Sequence, residues 1–184
     1  FGSMASTPLG EGNMNKSLVN EIISLIQEAC GTIRNKSFLE PGCGIGTLLK
    51  GLAERGAEKV IGCEPGPQSK EGADRFSIEI INNIFDPGDY DLSYDCIFHF
   101  GVLEHIEDPE QFLNQTMSCL KPKGIILAIV PDCEIDLELG NINMLSHEHL
   151  NYFTENSLKW LFAKVGLEDI TVRKLLYSKG IVCV

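Results

Sequence analysis

The chain has 184 residues, of which 43% are hydrophobic and 22% charged, and its formal net charge is −11. This length and apolar content predict one compact domain, because two smaller domains would each bury too little surface. The acidic balance disfavours the basic surface that binding to nucleic acid or to an anionic membrane requires. We therefore expect a small-molecule partner, and neither nucleic acid nor a membrane.

The seven cysteines lie singly along the chain and form no C-x-x-C pair, which excludes zinc-ribbon and thioredoxin-like motifs. Several of them lie inside apolar runs, where reduced cysteines act as small core residues. Nothing in the sequence resembles a signal peptide, and no apolar run has the length of a membrane span. These features lead us to expect a cytoplasmic protein.

Residues 1–13 are rich in Gly, Ser, Thr and Pro, which predicts a flexible N-terminal arm. The first three residues of this arm look like a cloning remnant. Residues 14–184 are then expected to form a single domain. Its first helix is predicted over 15–30, because every fourth residue from Leu18 is apolar and Gly31 follows.

Beyond that helix, predicted strands and helices alternate. Further helices are expected over 46–55, after Pro109, and after Thr154, which is placed as an N-cap. The sequence between the second and third strands is poorly periodic, and a polar insert occupies 131–153. The alternation indicates an open parallel sheet with helices on both faces, which binds ligands at the carboxyl ends of its strands. Strands are predicted over 37–40, 59–64, 77–82, 94–100, 124–130, 167–176 and 181–184.

The first predicted strand runs into the glycine loop Glu40-Pro41-Gly42-Cys43-Gly44-Ile45-Gly46-Thr47. Glycines at such a turn let a ligand lie against bare backbone. The dinucleotide pattern G-x-G-x-x-G requires a third glycine where this chain has Thr47, and Glu40 would repel a pyrophosphate. The same carboxylate would attract the cationic amino group of a methionine moiety. The charge therefore favours S-adenosylmethionine over a nicotinamide dinucleotide.

Glu64 ends the second predicted strand, where a carboxylate can accept hydrogen bonds from both ribose hydroxyls of a nucleotide. Pro65 follows and would lie beside the adenine as an apolar surface. Because both cofactors contain a ribose, these two residues indicate a nucleoside without choosing between them.

From about residue 37 to residue 166 the chain resembles the class I S-adenosylmethionine-dependent methyltransferases. The glycine loop matches the first motif of that family as Glu40-x-Gly42-x-Gly44-x-Gly46, and Glu64 matches its ribose-binding acid. Two further segments carry the resemblance into the fourth and fifth strands: Tyr94-Asp95-Cys96-Ile97 with Val102-Leu103-Glu104-His105-Ile106, and Leu120-Lys121-Pro122-Lys123-Gly124.

The resemblance implies an α/β, Rossmann-like, doubly wound sheet of seven strands, mostly parallel with an antiparallel last strand. It also implies S-adenosylmethionine as the cofactor, with the backbone at Phe100 and Gly101 close to its methionine portion. The family often has an aspartate after the third strand that accepts from the adenine amino group. Here Asn83 stands nearest to that position, with Asp86 as an alternative, and the backbone of Ile84 could serve an adenine ring nitrogen.

Acceptor chemistry is predicted in the insert after the fifth strand, at Ser146-His147-Glu148-His149-Leu150-Asn151-Tyr152-Phe153. A hydroxyl or carbon acceptor must lose a proton, and histidine is suited to take it near neutral pH. His147, with Glu148 and His149, is the catalytic candidate, although His149 could instead anchor the loop. No metal is expected, because three consecutive residues do not converge easily on one ion. His105 is interpreted as a structural hydrogen-bonding residue rather than a base.

The predicted function is methyl transfer from S-adenosylmethionine to oxygen or carbon of a small molecule, such as a sugar or another secondary metabolite. Two alternatives remain open: a non-catalytic cofactor-binding module of a larger biosynthetic protein, and a nicotinamide-dependent oxidoreductase, which Thr47 and Glu40 disfavour. The acidic charge and the short insert disfavour methylation of protein or RNA.

Overall fold

The computed structural model describes residues 13–90, 93–142, 145 and 147–184. The predicted N-terminal arm lies outside the described residues as far as residue 12, and its last residue, Asn13, already belongs to the first helix. None of the described helices combines the length and the apolar character needed to cross a bilayer.

Seven strands form a single sheet in the described part of the chain. The first five pair in parallel, and the seventh runs antiparallel to both of its neighbours. The Rossmann-like doubly wound sheet expected from the sequence is therefore confirmed. The strands are β1 (Ser37–Pro41), β2 (Lys59–Cys63), β3 (Glu79–Ile81), β4 (Tyr94–Phe100), β5 (Leu120–Pro131), β6 (Val172–Lys174) and β7 (Gly180–Cys183). Their order across the sheet is β3-β2-β1-β4-β5-β7-β6.

Helices cover both faces of this sheet. The first two pack with strand residues into one apolar cluster around Ile22, Leu49 and Phe98, and the last joins a second cluster around Phe162 and Ile181. The helices are α1 (Asn13–Cys30), α2 (Thr47–Ala53), α3 (Gln68–Phe76), α4 (Pro109–Ser118), α5 (Glu134–Glu138) and α6 (Glu155–Lys164), with short 3₁₀ turns at Pro87–Asp89 and Leu103–His105.

Two predicted helix starts are confirmed by their caps. The Thr154 hydroxyl accepts from Ser157 N at 3.3 Å in a reciprocal capping box, and Asp108 accepts from Gln111 N at 2.9 Å with Pro109 in the first turn of α4. Such caps satisfy N–H groups that have no partner inside a helix. They therefore fix where the loops before α4 and α6 end.

The largest differences between the sequence-based assignment and the structure concern two helices and two strands. Helix α5 lies inside the segment 131–153, which was expected to be a polar insert. Helix α3 was missed, because it buries only Ser69 and Gly72 and so has no apolar stripe. Strand β5 begins at Leu120 rather than at residue 124. Leu120 pairs with Tyr94 of β4, and the register of this pairing shifts between Tyr94 and Cys96. The strand predicted over 167–176 is confined to Val172–Lys174, since Asp169 has a positive φ of 55° that interrupts extended backbone.

Asp95 joins the amino-terminal ends of three strands at the edge of the sheet opposite the glycine loop. One carboxylate oxygen accepts from Ser37 N at 2.9 Å, Ser37 Oγ at 2.8 Å and Lys121 Nζ at 2.7 Å, and the other accepts from Lys36 at 3.5 Å. Burial raises the pKa of this carboxyl, but the hydrogen bonds from Lys121 and Ser37 outweigh it and hold the pKa well below its usual range.

Asp95→Asn is expected to lower the free energy of unfolding by about 2 kcal/mol at neutral pH, since charge-assisted bonds to Ser37 and Lys121 are lost. Because the folded-state pKa lies below the unfolded-state pKa, this stabilisation is fully present above the usual aspartate pKa and decreases as the pH falls from there through the lower folded-state pKa. Urea unfolding of both proteins at about pH 7 and about pH 3 checks this, with exposed Asp74→Asn as the control. An equal difference at both pH values would contradict the assignment.

Candidate active site

The glycine loop adopts backbone angles that its glycines make possible. Gly42, Gly44 and Gly46 have φ values of 69°, 53° and 75°, in the left-handed region that side chains disfavour. A Cβ on Gly42 would lie 2.5 Å from Cγ2 of Val102, in the turn after β4. The loop after β1 therefore packs directly against the loop after β4, which is where strand order reverses in a doubly wound sheet.

Glu64, at the carboxyl end of β2, faces this loop. Its Oε2 accepts from Gly44 N at 3.1 Å and its Oε1 from Gly66 N at 2.7 Å. The carboxylate is thus held at the mouth of the glycine loop by backbone N–H groups. A carboxylate in this position can also accept hydrogen bonds from two ribose hydroxyls.

A cavity of about 1390 Å³ opens at the carboxyl ends of β1, β2 and β4. Seven of the ten predicted cofactor residues line it: Gly42, Gly44, Glu64, Pro65, Ile84, Phe100 and Gly101. The other three lie behind or beside it. Gly46 precedes α2, Glu40 is buried, and Asn83 is exposed with its side chain bonded to Ile84 N and Asp89. The alternative residue Asp86 instead accepts from Gly88 N at 2.9 Å.

Two buried carboxylates lie at the ends of the central strands. Glu40 on β1 and Glu104 after β4 are each 3% exposed, and Oε2 of each has no hydrogen-bond partner among the described residues. Burial raises the pKa of both carboxyls. Buried carboxylates with an unsatisfied oxygen are costly, so this pair is suited to a cationic ligand that supplies the missing partner.

The three predicted catalytic residues lie on the loop between α5 and α6 and not in the cavity wall. The His147 side chain is 92% exposed and lies 3.8 Å from Oε1 of Glu148. His149 packs edge-to-face on His105, with ring centroids 4.8 Å apart, and approaches Tyr152. Burial, with the neighbouring His105, lowers the pKa of His149. His105, interpreted from sequence as structural, does line the cavity.

Five hydrogen bonds join the turn that carries His105 to the loop that carries His149. Glu148 O lies 2.8 Å from His105 Nδ1, and Leu150 N and Asn151 N both donate to Glu104 O, at 2.8 and 3.0 Å. The Asn151 side chain donates to Ile106 O at 2.7 Å and reaches Leu103 O at 3.5 Å. The two loops are therefore one hydrogen-bonded unit, although they are far apart in sequence.

Glu104, His105 and His149 bring their ligand atoms within 4.8 Å of one another, a spacing that could hold a metal ion. This grouping could not be predicted from the sequence, because the two histidines come from different loops. His99 also carries an imidazole near the cavity, but its ring is fully buried against Phe112, a cavity residue. Burial lowers the pKa of His99 to about 3, so this ring is neutral in the folded protein.

The sheet order, the glycine loop and Glu64 together define a nucleoside-binding α/β protein. A family model described as "Methyltransferase domain" matches residues 14–172. The chain therefore belongs to this family: it is a class I S-adenosylmethionine-dependent methyltransferase, as the glycine motif predicted, and its cofactor is S-adenosylmethionine.

Individual relatives are distant. The ubiquinone biosynthesis O-methyltransferase of Idiomarina loihiensis is 27% identical over 187 residues, covering 87% of this chain and 74% of that protein. The protein of the same description from Neisseria meningitidis is 28% identical over 149 residues, 74% of this chain, which spans only 57% of that relative.

Among solved structures, the 1,6-didemethyltoxoflavin-N1-methyltransferase of Burkholderia thailandensis, with bound 1,6-didemethyltoxoflavin and S-adenosylhomocysteine, superimposes with a TM-score of 0.69. The match covers 91% of this chain and 76% of that one at 16% identity. At this identity the likeness supports the fold alone.

Proposed function

We propose that this protein transfers the methyl group of S-adenosylmethionine to oxygen or carbon of a small-molecule acceptor. The observation that carries the proposal is the pair of buried carboxylates, Glu40 and Glu104, whose free oxygens lie at the cofactor-binding end of the sheet. The cofactor is cationic at its amino group and its sulfonium. A site built to hold cations suits it, whereas a pyrophosphate would be repelled.

Each predicted cofactor residue has a role in this proposal. Glu40 would hold the amino group, Glu64 the ribose hydroxyls, and Pro65 with the backbone of Ile84 the adenine. Asn83 would reach the adenine amino group once its side chain turns from Ile84 N. The backbone at Gly42, Gly44, Gly46, Phe100 and Gly101 would border the methionine portion, where side chains would obstruct the cofactor.

The acceptor would enter beside the loop of His147, Glu148 and His149. A small acceptor is supported by the names of the relatives, which are O-methyltransferases of ubiquinone biosynthesis. The cofactor supplies an activated methyl group, so positioning accounts for much of the rate. A hydroxyl or carbon acceptor also needs a proton acceptor, for which this loop and the turn it contacts supply the histidines.

The cofactor assignment predicts that Glu64→Ala weakens binding of S-adenosylhomocysteine by about 10- to 100-fold, the usual loss of hydrogen bonds to a charged group. Isothermal titration calorimetry of both proteins measures this. Glu58→Ala, at an exposed position just before β2, serves as the control and should bind like the wild type.

Methyl transfer itself is tested by incubating the protein with S-adenosylmethionine and a panel of small phenols, sugars and heterocycles, and following S-adenosylhomocysteine formation. Acceptor-dependent product formation is expected. Tight NADH binding without a response to S-adenosylmethionine or S-adenosylhomocysteine would overturn the proposed function.

A further inference from the structure

We propose that Glu104, His105 and His149 bind a divalent transition-metal ion, with Zn²⁺ as the best match, beside the cavity. The donor atoms of these three side chains lie within 4.8 Å of one another. They are not the consecutive residues 147–149, for which no shared ion was expected. The first two belong to the turn after β4, and the third belongs to the loop between α5 and α6. Metal binding does not depend on the proposed function, whereas the ion's role in methyl transfer rests on it.

The Glu104 carboxylate gives the strongest reason to expect a cation at this point. It is 3% exposed, and its Oε2 has no hydrogen-bond partner among the described residues. A buried carboxylate oxygen without a partner is costly, and a bound dication supplies that partner. The Oε1 atom lies 3.9 Å from Nε2 of His105, so a carboxylate and an imidazole nitrogen already face each other.

The two histidines are positioned by contacts outside the proposed coordination. The His149 ring packs edge-to-face on the His105 ring, with centroids 4.8 Å apart. Nδ1 of His105 lies 2.8 Å from the carbonyl oxygen of Glu148, and Nε2 is the ring nitrogen on the side of Glu104. Metal-binding histidines commonly hold a backbone carbonyl with their second nitrogen in this way. The hydrogen bonds between the turn and the loop therefore bring together ligands that are distant in sequence.

Coordination requires only small side-chain movements. Tetrahedral bonds of about 2.0–2.2 Å place two donors about 3.4 Å apart. The separation of 3.9 Å between Glu104 and His105, and of no more than 4.8 Å across the whole set, is somewhat wider. Movements of about 1 Å close the set around an ion. His149 is only partly buried, so its side chain can make most of this adjustment.

The donor set selects the kind of ion. Two imidazole nitrogens and one carboxylate suit Zn²⁺ and related transition metals, whereas Mg²⁺ and Ca²⁺ prefer oxygen ligands. A zinc site with three protein ligands keeps a further position for water or substrate. The cavity is the open side of this cluster, because Gly101 and His105 both line it and a Cβ on Gly101 would lie 3.6 Å from Oε1 of Glu104. No lysine or arginine among the described residues lines the cavity.

An ion at this position defines the acceptor as one that coordinates through a hydroxyl oxygen. Coordination lowers the pKa of the hydroxyl, so its proton passes to water near neutral pH. The oxygen electron pair then forms the bond to the methyl carbon, and the carbon–sulfur bond breaks with its electron pair remaining on sulfur. The products are the methyl ether and S-adenosylhomocysteine, and the ion keeps its oxidation state. His105 and His149 serve this reaction as ligands.

Calorimetric titration of the EDTA-treated protein with Zn²⁺ tests the site without cofactor or acceptor. One ion should bind per chain. Glu104→Gln and His149→Gln should each weaken Zn²⁺ binding by at least about 100-fold, since loss of even an outer partner of a ligand costs about 10- to 100-fold. His147→Gln removes a 92% exposed histidine from the same loop and should bind Zn²⁺ like the wild type. No binding by the wild type, or equal binding by all four proteins, would overturn the proposal.

Substitution with Co²⁺ identifies the ligand atoms. Nitrogen and oxygen ligands should give visible absorption bands without the near-ultraviolet charge-transfer band of a thiolate ligand. His149→Gln should remove the visible bands, and His147→Gln should keep them. A thiolate band, or a spectrum that depends on His147 but not on His149, would overturn the assignment.

Turnover with a hydroxyl acceptor from the panel tests the ion's role. Removal of the metal should lower kcat by about 100-fold or more and leave S-adenosylhomocysteine affinity unchanged, and added Zn²⁺ should restore turnover. Equal turnover with and without the ion would overturn this role. If the protein binds Zn²⁺ through Glu104 and His149 but neither binds S-adenosylhomocysteine nor methylates any acceptor, the proposed function fails and the metal site stands.

Discussion

Glu40→Gln is expected to stabilise the ligand-free protein and, at the same time, to weaken S-adenosylhomocysteine binding by about 100-fold. The side chain is 3% exposed and Oε2 has no partner among the described residues. Burial of the carboxylate therefore costs free energy that no contact at this oxygen offsets. Glutamine keeps the shape but removes the charge. The ligand's amino group then loses the buried counter-ion, and loss of one member of a buried charge pair is costly.

The stability gain should depend on pH in a defined direction. Burial raises the folded-state pKa of Glu40 above the unfolded-state pKa. The folded wild type therefore has its full stability below the usual glutamate pKa and loses stability as the pH rises through the raised pKa. The variant lacks this loss, so its advantage in Tm should be absent at acid pH and grow toward neutral pH. Thermal unfolding with and without S-adenosylhomocysteine measures both effects.

Exposed Glu79→Gln, on strand β3, controls for the change of residue type and should alter neither quantity. If Glu40→Gln bound S-adenosylhomocysteine as tightly as the wild type, Glu40 could not be the partner of the amino group. If the variant were less stable at neutral pH, the carboxylate would have a favourable partner in the free protein.

The strands could be predicted where burial leaves an uninterrupted apolar run. Strand β4 has the predicted bounds, Tyr94–Phe100, because central strands of parallel sheets are buried on both faces and read as continuous apolar sequence. Helix α3 could not be predicted in this way. It contacts the glycine loop through Gly72, so its burial there depends on the absence of a side chain and leaves no periodic signal.

The cofactor residues could be predicted because they are local in sequence. A strand, its glycine loop and the next strand's final carboxylate occur at short spacings, and a parallel sheet brings strand ends together without further information. The acceptor side depends instead on contacts between distant loops. Hydrogen bonds join the turn after β4 to Glu148 and Asn151 of the later loop, with His105 in the cavity wall and His147 in solvent.

Gly72→Ala is expected to lower the free energy of unfolding by about 3 kcal/mol, the upper range for overpacking. A Cβ at this position would overlap the Ile45 carbonyl oxygen and lie 2.6 Å from its carbon and 2.8 Å from its Cα. These are backbone atoms of the glycine loop, between Gly44 and Gly46, and cannot rotate away. The loop must shift, so S-adenosylhomocysteine affinity should fall by at least about tenfold as well.

Gly51→Ala provides the matched comparison, because Gly51 is also a buried helical glycine whose new Cβ would meet a close neighbour. Here the nearest atom is Cδ1 of Ile23, the far end of a flexible side chain, and alanine gains about 1 kcal/mol of helix propensity over glycine. We expect a net stability change within about 1 kcal/mol and unchanged ligand affinity. Urea unfolding and calorimetry on both variants separate the effects. If Gly72→Ala lost stability but kept its affinity, α3 would not support the glycine loop's binding geometry.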